Sequence, residues 1–166
     1  MRTVEVLEKL LACAVERISC YPTCRSFVHP GQDAVHDVCS MSDGHDGQLW
    51  VAHLGTQPGW PSPTGLPTNC ATAWNDVIEV GIVRCARGKV TDQGTAPHPN
   101  LVTEDAMIQE RDRILLRQAI LCCLPIESRD MLIQDWEPIP PSGGCVGGVW
   151  TFYSRDDGCD CDSTEL

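Results

Sequence analysis

The sequence predicts an α+β protein with a single mixed or antiparallel sheet, two main helices packed on it, and long loops rich in glycine and proline. The strand prediction centres on residues 77–85, where apolar side chains recur at every second position. These side chains are Ile78, Val80 and Ile82. The helix prediction depends on two amphipathic stretches, residues 3–18 and 103–124, whose apolar residues repeat at helical spacing. Because each stretch has one apolar face, the natural packing is helix on sheet.

The first half of the chain is predicted to contain one helix and one clear strand before the central strand. Thr3 is an acceptable N-cap for the helix, which ends before Pro22 because a residue that precedes proline avoids helical dihedral angles. Apolar and polar residues alternate over residues 48–54, which predicts a strand paired antiparallel with the central one. Its faces would carry Trp50, Ala52 and Leu54 on one side and Leu49, Val51 and His53 on the other. Residues 26–28 are also predicted to be extended.

The second half is predicted to contain the long helix and a pair of strands. Thr103 is the predicted N-cap of the helix, and Asp112 is placed away from its buried stripe. That stripe is predicted to comprise Ile108, Leu115, Leu116, Ala119, Ile120, Cys122 and Cys123. The strands are predicted at residues 131–136 and 149–155, joined by a glycine- and proline-rich loop at residues 137–148.

The length of 166 residues fits one domain, which we place at residues 1–155. Residues 156–166 are predicted to form an acidic, flexible C-terminal tail. Glu5 and Glu8 interrupt the apolar start of the chain, so a secretion signal is not expected. No apolar run approaches the ~18 residues that a membrane span needs.

The charge balance is strongly acidic, with 23 acidic residues against 12 basic ones and a formal net charge of −11. This charge repels phosphate backbones and anionic lipids. Direct binding to nucleic acid or to a membrane is therefore not expected.

The eleven cysteines allow three interpretations. Cys20, Cys24, His36 and Cys39, with His29 nearby, could hold zinc, although the chain has no Cys-x2-Cys pair. Cysteines in the predicted regular elements could instead be buried thiols; these are Cys13, Cys85, Cys122 and Cys123. Disulfides formed after release from a reducing cell are the third option, with Cys24–Cys39 or Cys123–Cys145 as candidate pairs. We expect no cofactor.

Enzymatic activity is not expected from the sequence. The run Gly143-Gly144-Cys145-Val146-Gly147-Gly148 lacks the lysine and the following helix of a phosphate-binding loop. No sequence feature places a nucleophile beside an oriented base. Long loops in compact domains usually contact something, and the loop at residues 55–73 carries a large apolar side chain. The interface candidates are Trp60, Pro61 and Pro63 in this loop, and Trp150 and Phe152 in the last strand.

Several short segments of the sequence together resemble a known family. They are Gly47-Gln48-Leu49-Trp50-Val51, Val80-Gly81-Ile82-Val83-Arg84-Cys85, Ala119-Ile120-Leu121-Cys122-Cys123, Trp136-Glu137-Pro138, and the glycine-rich run that leads into Val149-Trp150-Thr151. Over residues 20–153 the chain looks like a cysteine-rich virion protein of long-tailed phages that infect actinobacteria. The order of its elements is most similar to that of the tail-terminator proteins of the head-to-tail connector.

The resemblance implies a structural role in the virion, at the junction of head and tail, after assembly in the host cytoplasm. A hexameric ring of copies would cap the tail tube, contacting the major tail-tube protein below and a head-side connector protein above. DNA would pass through an acidic lumen without specific binding, and no membrane would be involved. The alternatives are another connector ring, such as a stopper or an adaptor, and a zinc-stabilised protein-binding module.

Overall fold

The computed structural model describes residues 3–31, 46–58, 74–87, 96–124, 131–142 and 144–156. The elements in chain order are helix α1 (Thr3–Arg17), strands β1 (Arg25–Pro30), β2 (Gln48–Pro58) and β3 (Trp74–Cys85), helix α2 (Pro99–Cys123), and strands β4 (Met131–Ser142) and β5 (Cys145–Asp156). Within these ranges, two helices and one mixed five-stranded sheet make this an α+β fold, as predicted.

The sheet has the strand order β1-β2-β3-β5-β4, which places β3 at its centre. β1 pairs parallel with β2, and all the other pairs are antiparallel. The predicted central strand and its antiparallel pairing with β2 are therefore confirmed. β1 and β4 are the two edge strands.

Both helices pack on the same face of the sheet. The predicted alternation in β3 is confirmed, since Ile78, Val80 and Ile82 all face this core. The helices contribute buried residues that include Leu10, Ala14 and Ile18 from the α1 side and Leu116, Ala119 and Ile120 from α2. The opposite face of the sheet carries a second, smaller cluster built around Trp50, Ala52, Val83 and Cys145. The two helices thus form a layer that covers one face of the sheet.

Gly81 allows a close approach between β3 and the indole of Trp50, its partner on β2. A Cβ atom at position 81 would overlap the indole ring. The ring has little freedom to move, because it is 1% exposed and its Nε1 donates to Glu79 Oε1 at 2.7 Å. The glycine is therefore required by packing on the smaller cluster.

Gly81→Ala is expected to lower the free energy of unfolding by about 1–3 kcal/mol, because the added methyl group overpacks this site. Equilibrium unfolding in urea measures the change. In a Trp50→Leu background the same substitution is expected to cost less, since the ring that it meets has been removed. Equal costs in the two backgrounds would contradict this explanation.

Helix α2 begins earlier than predicted. It starts at Pro99, with His98 as the N-cap whose Nδ1 accepts a hydrogen bond from Asn100 N at 3.3 Å. Thr103 lies one turn inside the helix, where its hydroxyl donates to Pro99 O at 3.0 Å. Proline at the first helical position has no N–H to lose, so the predicted loop residues before Thr103 form the first turn.

The predicted loop at residues 137–148 is also wrong, because β4 and β5 continue through most of it as a long hairpin. Ser142 pairs with Cys145, and Gly144 has the positive φ, 80°, that a tight turn requires. The prolines of β4 are tolerated because it is an edge strand, whose outer side needs no N–H donor. β2 likewise runs on to Pro58, into the region that the sequence predicted to be loop.

A disulfide joins Cys13 of α1 to Cys123 of α2, with 6.3 Å between the Cα atoms. The predicted Cys123–Cys145 pair is therefore wrong, and Cys145 is a buried free thiol. The prediction of buried thiols is wrong for Cys13 and Cys123, and also for Cys122, which is exposed. The alternative pair Cys24–Cys39 cannot be placed, since Cys39 lies outside the described residues. The two helices are thus linked covalently as well as by packing.

A buried ion pair ties α2 to the central strand. Arg84 donates from Nε and Nη2 to the two carboxylate oxygens of Asp112, at 2.5 and 3.0 Å. Both side chains are at most 5% exposed, so the placement of Asp112 away from the core is wrong. Asp46 completes the arrangement, because its carbonyl accepts from Arg84 Nη1 and its carboxylate accepts from Cys85 N. A bidentate pair of this kind fixes the helix against the strand in one register.

Candidate subunit interface on the outer face of α2

Helix α2 is held on the sheet along its inner face and leaves its outer face to solvent. Leu116, Ala119 and Ile120 enter the core, and Asp112 binds Arg84. The indole Nε1 of Trp150 also donates to the carbonyl of Arg113 at 2.9 Å. These contacts set the rotation of the helix about its axis, and so decide which side chains face outward.

The outer face of α2 carries an apolar row that the sheet does not use. Met107, Ile114 and Leu121 follow one another at intervals of seven residues, which is nearly two helical turns. They are 69, 44 and 47% exposed. We call these three residues the outer ridge. Neighbouring side chains in the row are about 10 Å apart, so the ridge spans roughly 20 Å of the helix surface.

Charged residues of both signs flank the outer ridge. Arg113 donates to Glu110 at 2.6 and 2.8 Å, one turn apart on the helix surface. The hydrogen bond from Arg113 lowers the pKa of Glu110 and, in return, raises the pKa of Arg113. An apolar row bordered by polar side chains is the usual anatomy of a protein–protein contact.

An open cleft of about 530 Å³ adjoins the ridge at the start of α2. Its lining consists of Tyr21, Arg87, Glu104, Met107, Ile108 and Arg111. We call it the arginine cleft. Met107 belongs to both the cleft and the ridge, so the two form one continuous surface. The Arg111 guanidinium lies 3.6 Å from the centre of the Tyr21 ring, a cation–π contact that fixes its position.

The predicted interface residues do not form this surface. Trp150 and Phe152 are 5% and 0% exposed within the core, so their predicted role as interface residues is wrong. They face inward because β5 lies between β3 and β4, with both helices on that side. The other candidates, Trp60, Pro61 and Pro63, lie outside the described residues.

The zinc candidates are only partly placed. Cys20 and Cys24 are both exposed, after the end of α1, whereas His36 and Cys39 lie outside the described residues. Within the ranges that the structure describes, no group of three or more His, Cys, Asp and Glu side chains could hold a metal ion. The zinc-site prediction therefore stays a prediction.

His53 has a structural environment that resembles part of a catalytic triad. Its Nε2 lies 3.0 Å from Asp76 Oδ1, and Thr3 Oγ1 donates to Asp76 Oδ2 at 3.1 Å. The hydroxyl is thus bonded to the carboxylate and not to the imidazole, whereas catalysis by a triad needs the nucleophile on the imidazole. The arrangement ties the start of α1 to strands β2 and β3.

Sequence reasoning missed the outer ridge, although its signature is present in the sequence. Apolar residues at positions 107, 114 and 121 lie on the polar side of the predicted helix, where the core stripe does not require them. Their regular interval was the available clue. The arginine cleft had no such signature, since Tyr21, Arg87 and Arg111 are far apart in the chain.

Comparisons with known proteins do not assign the chain to a family. No family model matches it, and no curated protein is detectably similar to it in sequence. Among the described residues, neither helix combines the length and the apolar composition needed to cross a membrane.

Proposed function

We propose that this protein is a structural subunit that assembles with its own copies into a closed ring at the head–tail junction of a long-tailed phage. The observation that carries self-association is the outer ridge, an apolar row exposed on a firmly anchored helix. The placement at the head–tail junction is supported by the short sequence segments that resemble tail-terminator proteins. The proposed function is structural: surfaces of fixed shape bind other copies of the chain and neighbouring proteins.

The anchoring of α2 suits the ridge to repeated contact between copies. The Arg84–Asp112 pair and the Cys13–Cys123 disulfide hold the helix at two places along its length. Burial of the ridge therefore orders few additional groups, and little of the binding free energy is lost to conformational entropy. A rigid, repeated contact is what a ring needs, since each subunit must meet the next at the same angle.

The net charge of −11 sets a further condition on assembly. Copies repel one another at long range, so an apolar contact such as the ridge has the advantage of adding no further charge to the interface. Added salt screens the repulsion and is expected to strengthen the contact through the ridge. In the finished ring, an acidic bore would let DNA pass without being retained.

Within the virion, we propose that the ring is the tail terminator, which caps the tail tube and joins it to the head-side connector. Binding to the major tail-tube protein separates this role from that of a stopper or an adaptor, whose neighbours lie on the head side. A zinc-stabilised binding module is the alternative from another class of protein. Elemental analysis of the purified chain separates the two, because only the module requires stoichiometric metal.

Ile114→Glu is expected to disrupt the ring. Placing a charge at the centre of an apolar contact costs at least about 2 kcal/mol for each interface, which weakens association about 30-fold. Native mass spectrometry of the purified protein, with and without the tail-tube protein, measures the distribution of assembled species. Val102→Glu is the matched control, because Val102 is equally exposed, at 48%, on the same helix but lies away from the ridge.

The two variants are expected to differ in assembly but to be equally well folded. Both are expected to unfold within about 0.5 kcal/mol of the wild type, since both substitutions are at the surface. If Ile114→Glu assembles as well as Val102→Glu, the ridge is not the contact. A wild-type chain that stays monomeric with every virion component would refute the ring itself.

A further inference from the structure

The arginine cleft contains positive charge that its own residues do not balance. Arg87 has a carboxylate partner, Glu104, at 3.4 Å. Arg111 lies 3.9 Å from Asp112 Oδ1, but both oxygens of Asp112 already accept from Arg84. The shielded Nη2 of Arg111 has no hydrogen-bond partner among the described residues. That atom is buried against Asp112 and out of reach, but the Arg111 side chain as a whole is 33% exposed, so the rest of its guanidinium can bind a carboxylate from outside.

The chain itself supplies an acidic segment directly after β5. Residues 157–166 contain Asp157, Asp160, Asp162 and Glu165, and no basic residue. Arginine pairs with carboxylates through two parallel hydrogen bonds when geometry allows. The charge of the segment and the charge of the cleft are therefore complementary.

The geometry of the sheet keeps the carboxylates of residues 160–162 away from the cleft of their own molecule. β5 ends at Asp156, which pairs with Trp74 at the first residue of β3, whereas Arg87 follows the last residue of β3. The twelve residues of β3 span about 36 Å at the usual rise for a strand. Ten extended residues reach at most about 33–36 Å. The carboxylates of residues 160–162, only about halfway along the segment, fall well short of the cleft.

We propose that the acidic segment at residues 157–166 of one copy binds the arginine cleft of the next copy. The inference rests on the self-association proposed above and adds a second contact to it. The acidic segment begins at the end of the sheet opposite the arginine cleft, so the contact between copies is head-to-tail. Such a contact repeats from copy to copy and closes into a ring when the rotation between neighbours allows it.

Two charge-reversed proteins test the proposal when they are studied alone and mixed. The cleft variant carries Arg87→Glu and Arg111→Glu, and the tail variant carries Asp160→Arg and Asp162→Arg. Each alone would bring like charges together at every interface, so each is expected to associate at least about tenfold more weakly than the wild type. In an equal mixture every tail meets a cleft of opposite charge, and assembly is expected to recover with the two variants alternating.

Native mass spectrometry reads out both the amount and the composition of the assemblies. Recovery on mixing also demonstrates that both variants are folded. The neutral tail variant Asp160→Asn with Asp162→Asn provides a test that does not depend on the cleft variant. It is expected to assemble about tenfold more weakly than the wild type. Because salt screens the contact between the segment and the cleft, the assembly of this variant should also be less weakened by added salt.

Different experimental results would refute the tail contact and the ring. If the neutral tail variant assembles like the wild type while Ile114→Glu does not, the ring stands and the tail contact is refuted. Failure of the charge-reversed mixture to recover, with both variants shown to be folded by circular dichroism, refutes it as well. If the wild type does not assemble, the self-association on which both rest is refuted.

Discussion

Asp112→Ala is expected to lower the free energy of unfolding by about 3–5 kcal/mol. The substitution leaves Arg84, which is 4% exposed, without the carboxylate that balances its charge. Among the residues that the structure describes, the carbonyl of Asp46 then remains as a partner of the guanidinium. Denaturation in guanidinium chloride, followed by tryptophan fluorescence and circular dichroism, measures the change.

The matched control is Glu104→Ala, which removes the partner of Arg87 at the surface. Both side chains of that pair are at least 36% exposed, so its loss is expected to cost under about 1 kcal/mol. A double substitution of Arg84 and Asp112 by apolar residues of similar size should recover much of the loss, because no charge is then left buried. Similar costs for Asp112→Ala and Glu104→Ala would mean that the pair is not buried in solution.

Replacing Cys13 and Cys123 together by alanine is expected to lower the free energy of unfolding by about 4–5 kcal/mol. The bond closes a loop across a sequence separation of 110 residues, and a loop of that length greatly restricts the unfolded chain. Thermal unfolding under oxidising conditions, with and without the double substitution, measures the effect. Reduction of the wild type by dithiothreitol should produce the same shift.

Cys122→Ala is the control for the disulfide, since Cys122 is an exposed free thiol beside Cys123. It is expected to change stability by less than about 0.5 kcal/mol and to leave the response to dithiothreitol intact. If dithiothreitol leaves the wild-type transition unchanged, the bond does not contribute in the way described. The bond is expected to form only where the surroundings are oxidising, so the stability of the protein should depend on the redox state of its surroundings.

The regular elements with strong periodicity could be predicted from the sequence. The alternation of Ile78, Val80 and Ile82 identified the central strand, because one buried face requires a period of two. The pair of strands at residues 131–136 and 149–155 was predicted, but its continuation through residues 137–148 could not be recognised, since prolines and glycines are typical of loops. Proline is compatible with a strand only at the edge of a sheet, and edge position is a property of the whole fold.

The tertiary features of the site were less accessible to sequence reasoning. Eleven cysteines allow many pairings, and the choice of Cys13 with Cys123 follows from how α1 and α2 lie side by side. The burial of Asp112 depends on Arg84, a residue on another element. The outer ridge was within reach, because the interval between Met107, Ile114 and Leu121 is visible in the sequence.

The prolines of β4 limit how copies of this molecule can join. Pro138, Pro140 and Pro141 have no N–H group, so the second half of this edge strand offers fewer donors to a strand from another molecule. A protein that associates with its own copies at high concentration can form fibrils when strands of different molecules pair edge to edge. The prolines obstruct that route along the second half of β4, so in the proposed assembly the contacts there would be made by side chains, whose fit can stop growth at a finite number of partners.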